Sequence, residues 1–197
     1  MNMFKFGQNF FMRILEKLST YYPHASDMKE FLLENTEWIK FEKGEIVSGQ
    51  GSYNRNVYFV ENGLLRSFYI EKGKEITTNF YTEGKLIAHL DTLFHSQLSR
   101  YNIQAIESSE ILFCNYERLE EFCQTSIEAA NFSRFILGKL VAEMHTRIAS
   151  LQFMSAKEKY QHFLEENSEI VLRAPLGMIA TYLGISQETL SRIRSEI

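Results

Sequence analysis

IATYLGISQETLSRIRSEI, residues 179–197, is the stretch that decides the fold of this protein. Gly184 suits the end of one helix, and Ser186 suits the N-cap position of the next. Pro175 fits the first turn of the earlier helix, where its missing N–H costs nothing. Apolar residues recur at helical spacing on both sides of the turn: Leu176, Ile179, Ala180 and Leu183 before it, and Leu190 and Ile193 after it. A helix, a glycine-centred turn and a capped second helix together predict a helix-turn-helix.

The composition is that of an ordinary soluble globular protein, with 45% apolar and 23% charged residues in a chain of 197. The two cysteines, Cys114 and Cys123, are too few for a disulfide framework and fit a reducing compartment. The chain has no run of 18 apolar residues, and its start lacks a clean apolar signal segment. We therefore expect a cytoplasmic protein without a membrane partner.

The net charge of −4 is a mild argument against a nucleic-acid partner, but a DNA contact needs only a local basic face. Residues 173–197 contain three arginines and two glutamates, so this end of the chain is locally positive. The sequence contains no Gly-x-Ser-x-Gly, Gly-x4-Gly-Lys-Ser/Thr or Gly-x-Gly-x-x-Gly pattern. We expect no enzymatic activity.

Residues 36–116 consist of short runs rich in valine, isoleucine, tyrosine and phenylalanine, separated by glycines. The pairs Asn62-Gly63 and Lys72-Gly73 each stand between two extended runs, and a residue pair of this kind is a strong β-hairpin signal. Many short strands with a glycine turn every 8 to 12 residues predict a β-sandwich or a barrel-like roll.

Helical patterns occur on both sides of this β region. Residues 9–34 are predicted to be helical, with Ser26 as an N-cap. A helix from about 126 to 152 would be roughly 40 Å long. One narrow apolar stripe follows this long helix at 4-3-4-3 spacing: Leu137, Val141, Met144, Ile148 and Leu151. The stripe either packs on the β region or forms a homodimer seam, and we favour the seam.

A new helix is predicted to start at Ser155, because Ser155 and Glu158 match a capping box. This places a domain boundary near residues 152–155. We expect a sensor domain at residues 1–152, which includes the long helix, and a DNA-binding domain at residues 153–197. Within the second domain, SEIVLR after Asn167 is predicted to be extended.

From about residue 36 to 197 the chain resembles the Crp/Fnr family of bacterial transcription regulators. The resemblance rests on KGEIVSGQG, VYFVENGLLRSFY and YTEGKLIAHLDTLF, and most strongly on IATYLGISQETLSRIRSEI. It implies an α+β fold: an N-terminal double-stranded β-helix of the cyclic-nucleotide-binding type, a long dimerisation helix and a C-terminal helix-turn-helix. Family members usually continue into a β-hairpin wing. Nothing follows Ile197 here, so either the branch is wingless or the sequence is truncated.

The resemblance implies that Gln187, Glu188 and Arg192 face the major groove of DNA. Their chemistry is suitable, because these side chain types pair with adenine, cytosine and guanine edges respectively. The alternative is a functionally silent ion pair between Glu188 and Arg192, which are four residues apart. Four further residues are candidates for phosphate or backbone contacts, although the two arginines could equally be solvated surface residues: Arg173, Ser186, Ser191 and Arg194.

The effector pocket departs from the cyclic-nucleotide binders of the family. Ala88-His89 stand where the family has the Gly-Glu that binds the ribose, and Ser99-Arg100-Tyr101 stand where it has Arg-Ser-Ala. Since a shift of one residue on an extended segment turns a side chain to the opposite face, Arg100 cannot replace the phosphate-binding arginine. We therefore do not expect cAMP binding. The candidate pocket residues are His89, Ser99, Arg100 and Tyr101, in a pocket expected to be mostly filled by aromatic side chains.

No metal or other cofactor is expected. The five histidines form no His-x-His or His-x3-His pair: His24, His89, His95, His145 and His162. Cys114 and Cys123 lack the N-terminal cysteine cluster of the iron–sulfur members of the family. His89 is expected to be a buried, hydrogen-bonded histidine, and Asp91 a turn residue.

These patterns favour a dimeric, sequence-specific DNA-binding transcription regulator. The expected partners are a palindromic promoter site in double-stranded DNA, a second copy of the chain and a small-molecule effector, with RNA polymerase as a further candidate. The alternative is a dimeric ligand sensor or interaction protein whose DNA-binding role is lost. An enzyme built on a cupin-like roll is disfavoured because metal ligands are lacking.

Overall fold

The computed structural model describes residues 26–196, which form two β-sheets and eight helices. The strands are β1 (Glu37–Phe41), β2 (Ile46–Ser48), β3 (Asn56–Asn62), β4 (Leu65–Glu71), β5 (Lys74–Tyr81), β6 (Leu86–Ala88), β7 (Asn102–Ala105) and β8 (Ser109–Asn115). The helices are α1 (Ser26–Asn35), α2 (Leu90–His95), α3 (Tyr116–Thr125), α4 (Ile127–Phe153), α5 (Ala156–Glu166), α6 (Ser168–Arg173), α7 (Leu176–Leu183) and α8 (Gln187–Ser195).

The strands form two four-stranded antiparallel sheets, ordered β1-β8-β3-β6 and β2-β7-β4-β5. Because side chains alternate along a strand, one face of each sheet turns inward and the two inner faces share a core. This core consists of Tyr58, Val60, Leu65, Ile87, Ile103 and Ile111. The α+β fold with a β roll, predicted from the sequence, is confirmed.

The two glycine turns behave differently. Lys72-Gly73 joins β4 to β5 as a hairpin, as predicted. The hairpin predicted at Asn62-Gly63 is wrong, because β3 pairs with β8 and β6 whereas β4 belongs to the other sheet. Gly63 has φ +105°, and a Cβ there would lie 2.7 Å from the Cα of Ser109. The glycine therefore allows the chain to turn a tight corner between the sheets.

Helices α1, α3 and the start of α4 cover the outer face of the first sheet. Phe31 on α1 stacks on Phe122 of α3 with a ring separation of 4.6 Å, and Phe132 of α4 is buried beside them. The Glu128 carboxylate of α4 accepts a hydrogen bond from the Asp27 N–H at the start of α1 (2.9 Å). The helix predicted at residues 9–25 lies outside the described residues.

The boundaries of α4 agree with the predicted helix at 126–152. The capping box that begins the next helix is also present: the Ser155 N–H donates to Glu158 (2.8 Å), and the Glu158 N–H donates to the Ser155 hydroxyl (3.3 Å). The extended segment predicted for SEIVLR is wrong, because these residues form α6. Helical geometry buries Ile170 in the C-terminal core, so tertiary packing overrides the β propensity of the Ile-Val pair.

The C-terminal helices pack directly on the second sheet. Leu64 and Ile106 from the roll share a core with Ile179 and Leu190 of the helix-turn-helix. The Thr77 N–H on β5 donates to the Thr181 hydroxyl of α7 (3.2 Å). Tyr182, Phe80 and Phe163 form a cluster with ring separations of 5.2 to 6.3 Å. The position of α7 and α8 is therefore set by their packing on the roll as well as by the helices that connect them to it. The division into domains near residue 153 stays a prediction.

Candidate DNA-binding surface and effector pocket

The turn between α7 and α8 is held by backbone and capping hydrogen bonds. Gly184 adopts the left-handed conformation, with φ +67°, and its N–H donates to the carbonyls of Ala180 and Thr181. The Ser186 hydroxyl accepts from the Thr189 N–H (3.1 Å), as expected of an N-cap. Leu190 and Ile193 are buried against the rest of the bundle. These contacts fix the orientation of α8.

The outer face of α8 is polar and exposed. It carries Gln187, Glu188, Ser191, Arg192 and Arg194. Among the described residues, Glu188 and Arg192 do not form the ion pair that the sequence allowed. Instead, hydrogen bonds from its own N–H and from Ser186 lower the pKa of the Glu188 carboxyl. The end of the Gln187 amide lies over Gly177, where an added Cβ would be 2.8 Å from its oxygen. The Arg192 guanidinium therefore projects from a fixed helix without an acidic partner on that helix.

Arg173, a predicted phosphate contact, lies instead against the roll. Its guanidinium donates to Glu83 (3.0 Å) and to Glu107 (2.5 Å), and it lies 3.6 Å from Glu169. The bond with Glu107 and the charge of Glu83 raise the pKa of Arg173. Burial alone would raise the pKa of Glu83, but Arg173 and the Gly63 N–H hold it below its usual value. We call Arg173, Glu83 and Glu107 the carboxylate clamp.

Replacing Arg173 with methionine should lower the free energy of unfolding by about 1–2 kcal/mol, since it leaves two carboxylates close together and only half-solvated. Urea denaturation at pH 7 measures the change. Glu169→Gln is the matched control, because the Glu169 side chain is 60% exposed, and it should cost under about 0.5 kcal/mol. Equal effects of the two substitutions would contradict the clamp.

A contact between α4 and α7, made by Arg147 and Tyr182, was not predicted from the sequence. Arg147 on α4 places its guanidinium 3.9 Å from the centre of the Tyr182 ring and donates to the Tyr182 carbonyl. Burial lowers the pKa of this arginine. No local pattern marks Arg147, Glu83 or Glu107, because the partner of each lies in a distant segment. Only the pairing of distant segments reveals them.

The stripe on α4 is exposed in the single chain. The exposed fractions are 41% for Leu137, 65% for Val141, 55% for Met144, 52% for Ile148 and 41% for Leu151. Leu151 also touches the helix-turn-helix, since its Cδ2 is 3.4 Å from the position of a Cβ at Gly184. A contiguous apolar stripe of this kind is typical of an interface.

The candidate effector pocket is organised around a buried histidine. His89 is fully buried, and its Nδ1 lies 2.6 Å from the Ser99 hydroxyl, which donates to the Tyr101 carbonyl (2.7 Å). Because the Ser99 hydroxyl donates its proton to that carbonyl, it accepts a hydrogen bond from His89. The proton of the neutral imidazole is therefore assigned to Nδ1. The Tyr101 ring packs 4.9 Å from the imidazole, and its hydroxyl donates to the Ala88 carbonyl. The buried Nε2 has no hydrogen-bond partner among the described residues.

Arg100, in the bend before β7, points away from this network. Its side chain is 78% exposed and forms a two-pronged hydrogen bond with Asp91, at 2.9 and 3.0 Å. This bond lowers the pKa of the Asp91 carboxyl, so Asp91 is more than a turn residue. Both side chains line an open cleft of about 460 Å³, together with Gln50, Tyr69, Ile70, Glu71 and Tyr101. Aromatic packing thus fills the inner side of the pocket, while its outer side stays open.

Acid should destabilise the protein partly through His89. Burial lowers the pKa of His89 from 6.5 to about 4, although the Asp91 charge opposes this change. The unfolded chain binds this proton near pH 6.5 and the folded chain only near pH 4, so stability is lost as the pH falls between these values. The loss should reach about 2–3 kcal/mol at pH 4.5.

His89→Asn should reduce the difference in unfolding free energy between pH 7 and pH 4.5 by that amount, since asparagine does not titrate. His145→Asn, at an exposed position on α4, is the control and should leave the difference unchanged. Urea denaturation at the two pH values measures it. An unaltered pH dependence in His89→Asn would refute a neutral, buried imidazole.

The sequence is similar to those of known proteins. Residues 38–126 match the family model described as the cyclic nucleotide-binding domain. The regulatory protein HlyX of Actinobacillus pleuropneumoniae is 26% identical over 164 residues, covering 77% of this chain and 68% of its own length. The fumarate and nitrate reduction regulatory protein of Yersinia pestis is 25% identical over 185 residues, covering 86% of this chain and 71% of its own. The chain spans about two thirds of the length of the first such relatives.

Solved structures share the fold. FixK2 from Bradyrhizobium japonicum superposes with a TM-score of 0.70 at 22% identity, covering 82% of this chain and 83% of that one. The global regulator CLP of Xanthomonas campestris gives 0.69 at 18% identity, covering 87% and 90%. The fold combines a β roll of the cyclic nucleotide-binding type with a helix-turn-helix in one chain. Over most of its length the chain is similar to transcription regulators of the Crp/Fnr type, which agrees with the resemblance noted in the sequence.

None of the helices between residues 26 and 196 is long and apolar enough to cross a membrane. In the same part of the chain, no three histidine, cysteine or acidic side chains come together as metal ligands. Cys114 is buried, and burial raises the pKa of its thiol to about 12.

Proposed function

We propose that this cytoplasmic protein is a homodimeric, sequence-specific DNA-binding transcription regulator without enzymatic activity. The observation that carries the proposal is the exposed polar face of α8, held by the Ser186 cap and by a buried apolar face. A helix fixed in this way can enter the major groove as a rigid body. Two relatives of the chain are named a regulatory protein and a transcriptional activator protein.

The DNA-reading roles follow from chemistry and position. Arg192 can donate two hydrogen bonds to a guanine, Glu188 can accept from a cytosine amino group, and Gln187 can pair with an adenine. Ser186, Ser191 and Arg194 are assigned to the phosphate backbone. Arg173 can contact a phosphate only after its guanidinium leaves the carboxylate clamp. In this proposal, clamp opening and DNA binding are therefore linked.

The exposed stripe on α4 serves as the dimer seam. Two parallel copies of such a stripe form a coiled coil and would place two α8 helices about one DNA turn, roughly 34 Å, apart. A palindromic site in double-stranded DNA matches this two-fold arrangement. The DNA site would lie in a promoter, with RNA polymerase as a further partner.

The pocket does not fit a cyclic nucleotide. The buried His89 and Ser99 occupy the positions where the family resemblance calls for a ribose-binding glutamate and a phosphate-binding arginine, and both are engaged with each other. Arg100 is held by Asp91 outside this network. We propose that an effector, if it binds the roll, is a different small molecule that uses the open cleft beside Arg100.

Selection of bound sequences from random double-stranded DNA tests the proposal. We expect enrichment of a palindrome with half-sites about one turn apart, retained in a gel-shift assay at moderate salt. A pool that stays unenriched, together with no retention on heparin at low salt, would support the alternative of a sensor without a DNA role. cAMP should leave the binding curve unchanged.

A further inference from the structure

The turn between β4 and β5 carries two lysines in an unusual setting. Lys72 and Gly73 are the central residues of a two-residue hairpin and have φ angles of +51° and +77°. These angles define a type I′ turn, in which asparagine is favoured at the first position because it tolerates positive φ. The chain has a lysine there, so turn geometry alone does not account for Lys72.

The hairpin lies beside the start of α8. Strand β5 runs along α7, where the Thr77 N–H donates to the Thr181 hydroxyl. Lys74 lies three residues nearer the turn on this strand. Its ammonium group contributes to the lowered pKa of the Glu188 carboxyl, after the larger effects of the Glu188 N–H and the Ser186 hydroxyl. Phe80 of β5 packs on Tyr182, with a ring separation of 5.3 Å, and Thr77 bonds to Thr181, so β5 runs toward the start of α7 as it approaches the hairpin. The Gln187 amide of α8 lies over Gly177 at that start. The tip of the hairpin therefore lies on the side of the helix-turn-helix where α8 begins.

Both lysines are available to a partner. Lys72 and Lys74 are exposed, and no carboxylate of residues 26–196 lies within 4.0 Å of either ammonium group. A lysine has a flexible stem of four carbons and binds phosphate as a point charge. When α8 occupies a major groove, the polyanion nearest to the hairpin is the phosphate backbone that borders this groove.

We propose that Lys72 and Lys74 form a second DNA contact, in which the roll itself holds the phosphate backbone next to the groove read by α8. This inference rests on the proposed function and deepens it. The contact adds positive charge to a chain whose overall charge is negative. It would also make the affinity for DNA depend on how the roll sits on the helix-turn-helix.

The test compares a double variant with a matched control. Lys72→Asn/Lys74→Gln removes both charges and introduces the residue that the turn favours, so its Tm should be equal to or above that of the unsubstituted protein. Lys43→Gln removes another exposed turn lysine, which precedes Gly44 beside β2 at the opposite edge of the same sheet. Fluorescence anisotropy with the selected palindrome, repeated at several salt concentrations, gives the affinity and its salt dependence.

The slope of log K against log salt is negative, and each lost phosphate contact reduces its magnitude by about 0.9. Four contacts in a dimer therefore correspond to roughly 3.6. We expect a decrease of 2 or more in the double variant (an order-of-magnitude figure on the same basis) and none in Lys43→Gln. The base preference should stay unchanged, because phosphate contacts carry no sequence information.

A slope equal to that of the control would overturn the inference and leave the proposed function intact. The inference is also wrong if DNA affinity is unchanged and only transcription with purified RNA polymerase is altered, since the hairpin would then contact a protein. If the unsubstituted protein binds none of the selected DNA, the proposed function and this inference fail together.

Discussion

Arg192→Ala should weaken binding of the dimer to its palindromic site by roughly 30-fold to 10⁴-fold. This range follows from about 1–3 kcal/mol for each two-pronged arginine–guanine contact, present once in each half-site. The fold should be unaffected, since Arg192 is exposed and has no ion-pair partner among residues 26–196. Fluorescence anisotropy with the selected site measures the loss, and a repeated selection should show relaxed preference at one base pair in each half-site.

Arg118→Ala is the matched control for this substitution. Arg118 is an exposed arginine on α3. This helix packs on the first sheet, whereas α8 belongs to the helix-turn-helix. Its removal lowers the charge of the chain by the same amount and should change the affinity by less than about twofold. If Arg192→Ala bound DNA as tightly as Arg118→Ala, the assignment of α8 as the recognition helix would be wrong.

Val141→Glu should convert the dimer into monomers and reduce DNA affinity by a factor of roughly 100 or more. Val141 is the most exposed residue of the stripe, at 65%, and is the second of its five residues. In a coiled coil, the two glutamates would face each other across an apolar seam, so both charges would lose water without gaining a partner. Binding to a palindrome would then lose the contribution of the second half-site.

Light scattering coupled to size-exclusion chromatography measures the oligomeric state. The control is Thr146→Glu, which adds the same charge to the same helix. Thr146 is exposed and lies on the face opposite the stripe. A protein that stays dimeric with glutamate at position 141 would place the interface elsewhere. Unfolding is not expected to explain the result, because an exposed valine contributes little to the stability of one chain.

Several features of the site could be predicted from short-range patterns. The Gly184 turn, the Ser186 cap and the Ser155 capping box each depend on a few neighbouring residues, and all three occur as expected. Ser99 and Arg100 point in opposite directions, as expected for an extended segment, although both residues precede β7. Local chemistry suffices in these cases because the interacting groups are at most four residues apart.

Other features depended on contacts between distant segments. Asn62-Gly63 has the local signal of a hairpin, yet it forms a corner because β3 finds its partners, β6 and β8, later in the chain. SEIVLR has β-branched residues, yet it is helical because burying Ile170 in the C-terminal core stabilises that form. Arg173 belongs to a basic stretch, yet it pairs with two glutamates that precede it by 90 and 66 residues.

By itself, the sequence determined the kinds of elements in this protein: a β roll, a long helix with an apolar stripe, and a capped helix-turn-helix. Periodicity and capping are properties of adjacent residues, so they can be recognised without a structure. Only the tertiary structure decided how these elements face one another. It places Arg173 in the carboxylate clamp, His89 in a closed network, and β5 along α7. The physical reason is that the packing of apolar faces decides which distant segments meet. A charged side chain then pairs with whatever group this packing brings close, and the local sequence of neither segment identifies that partner.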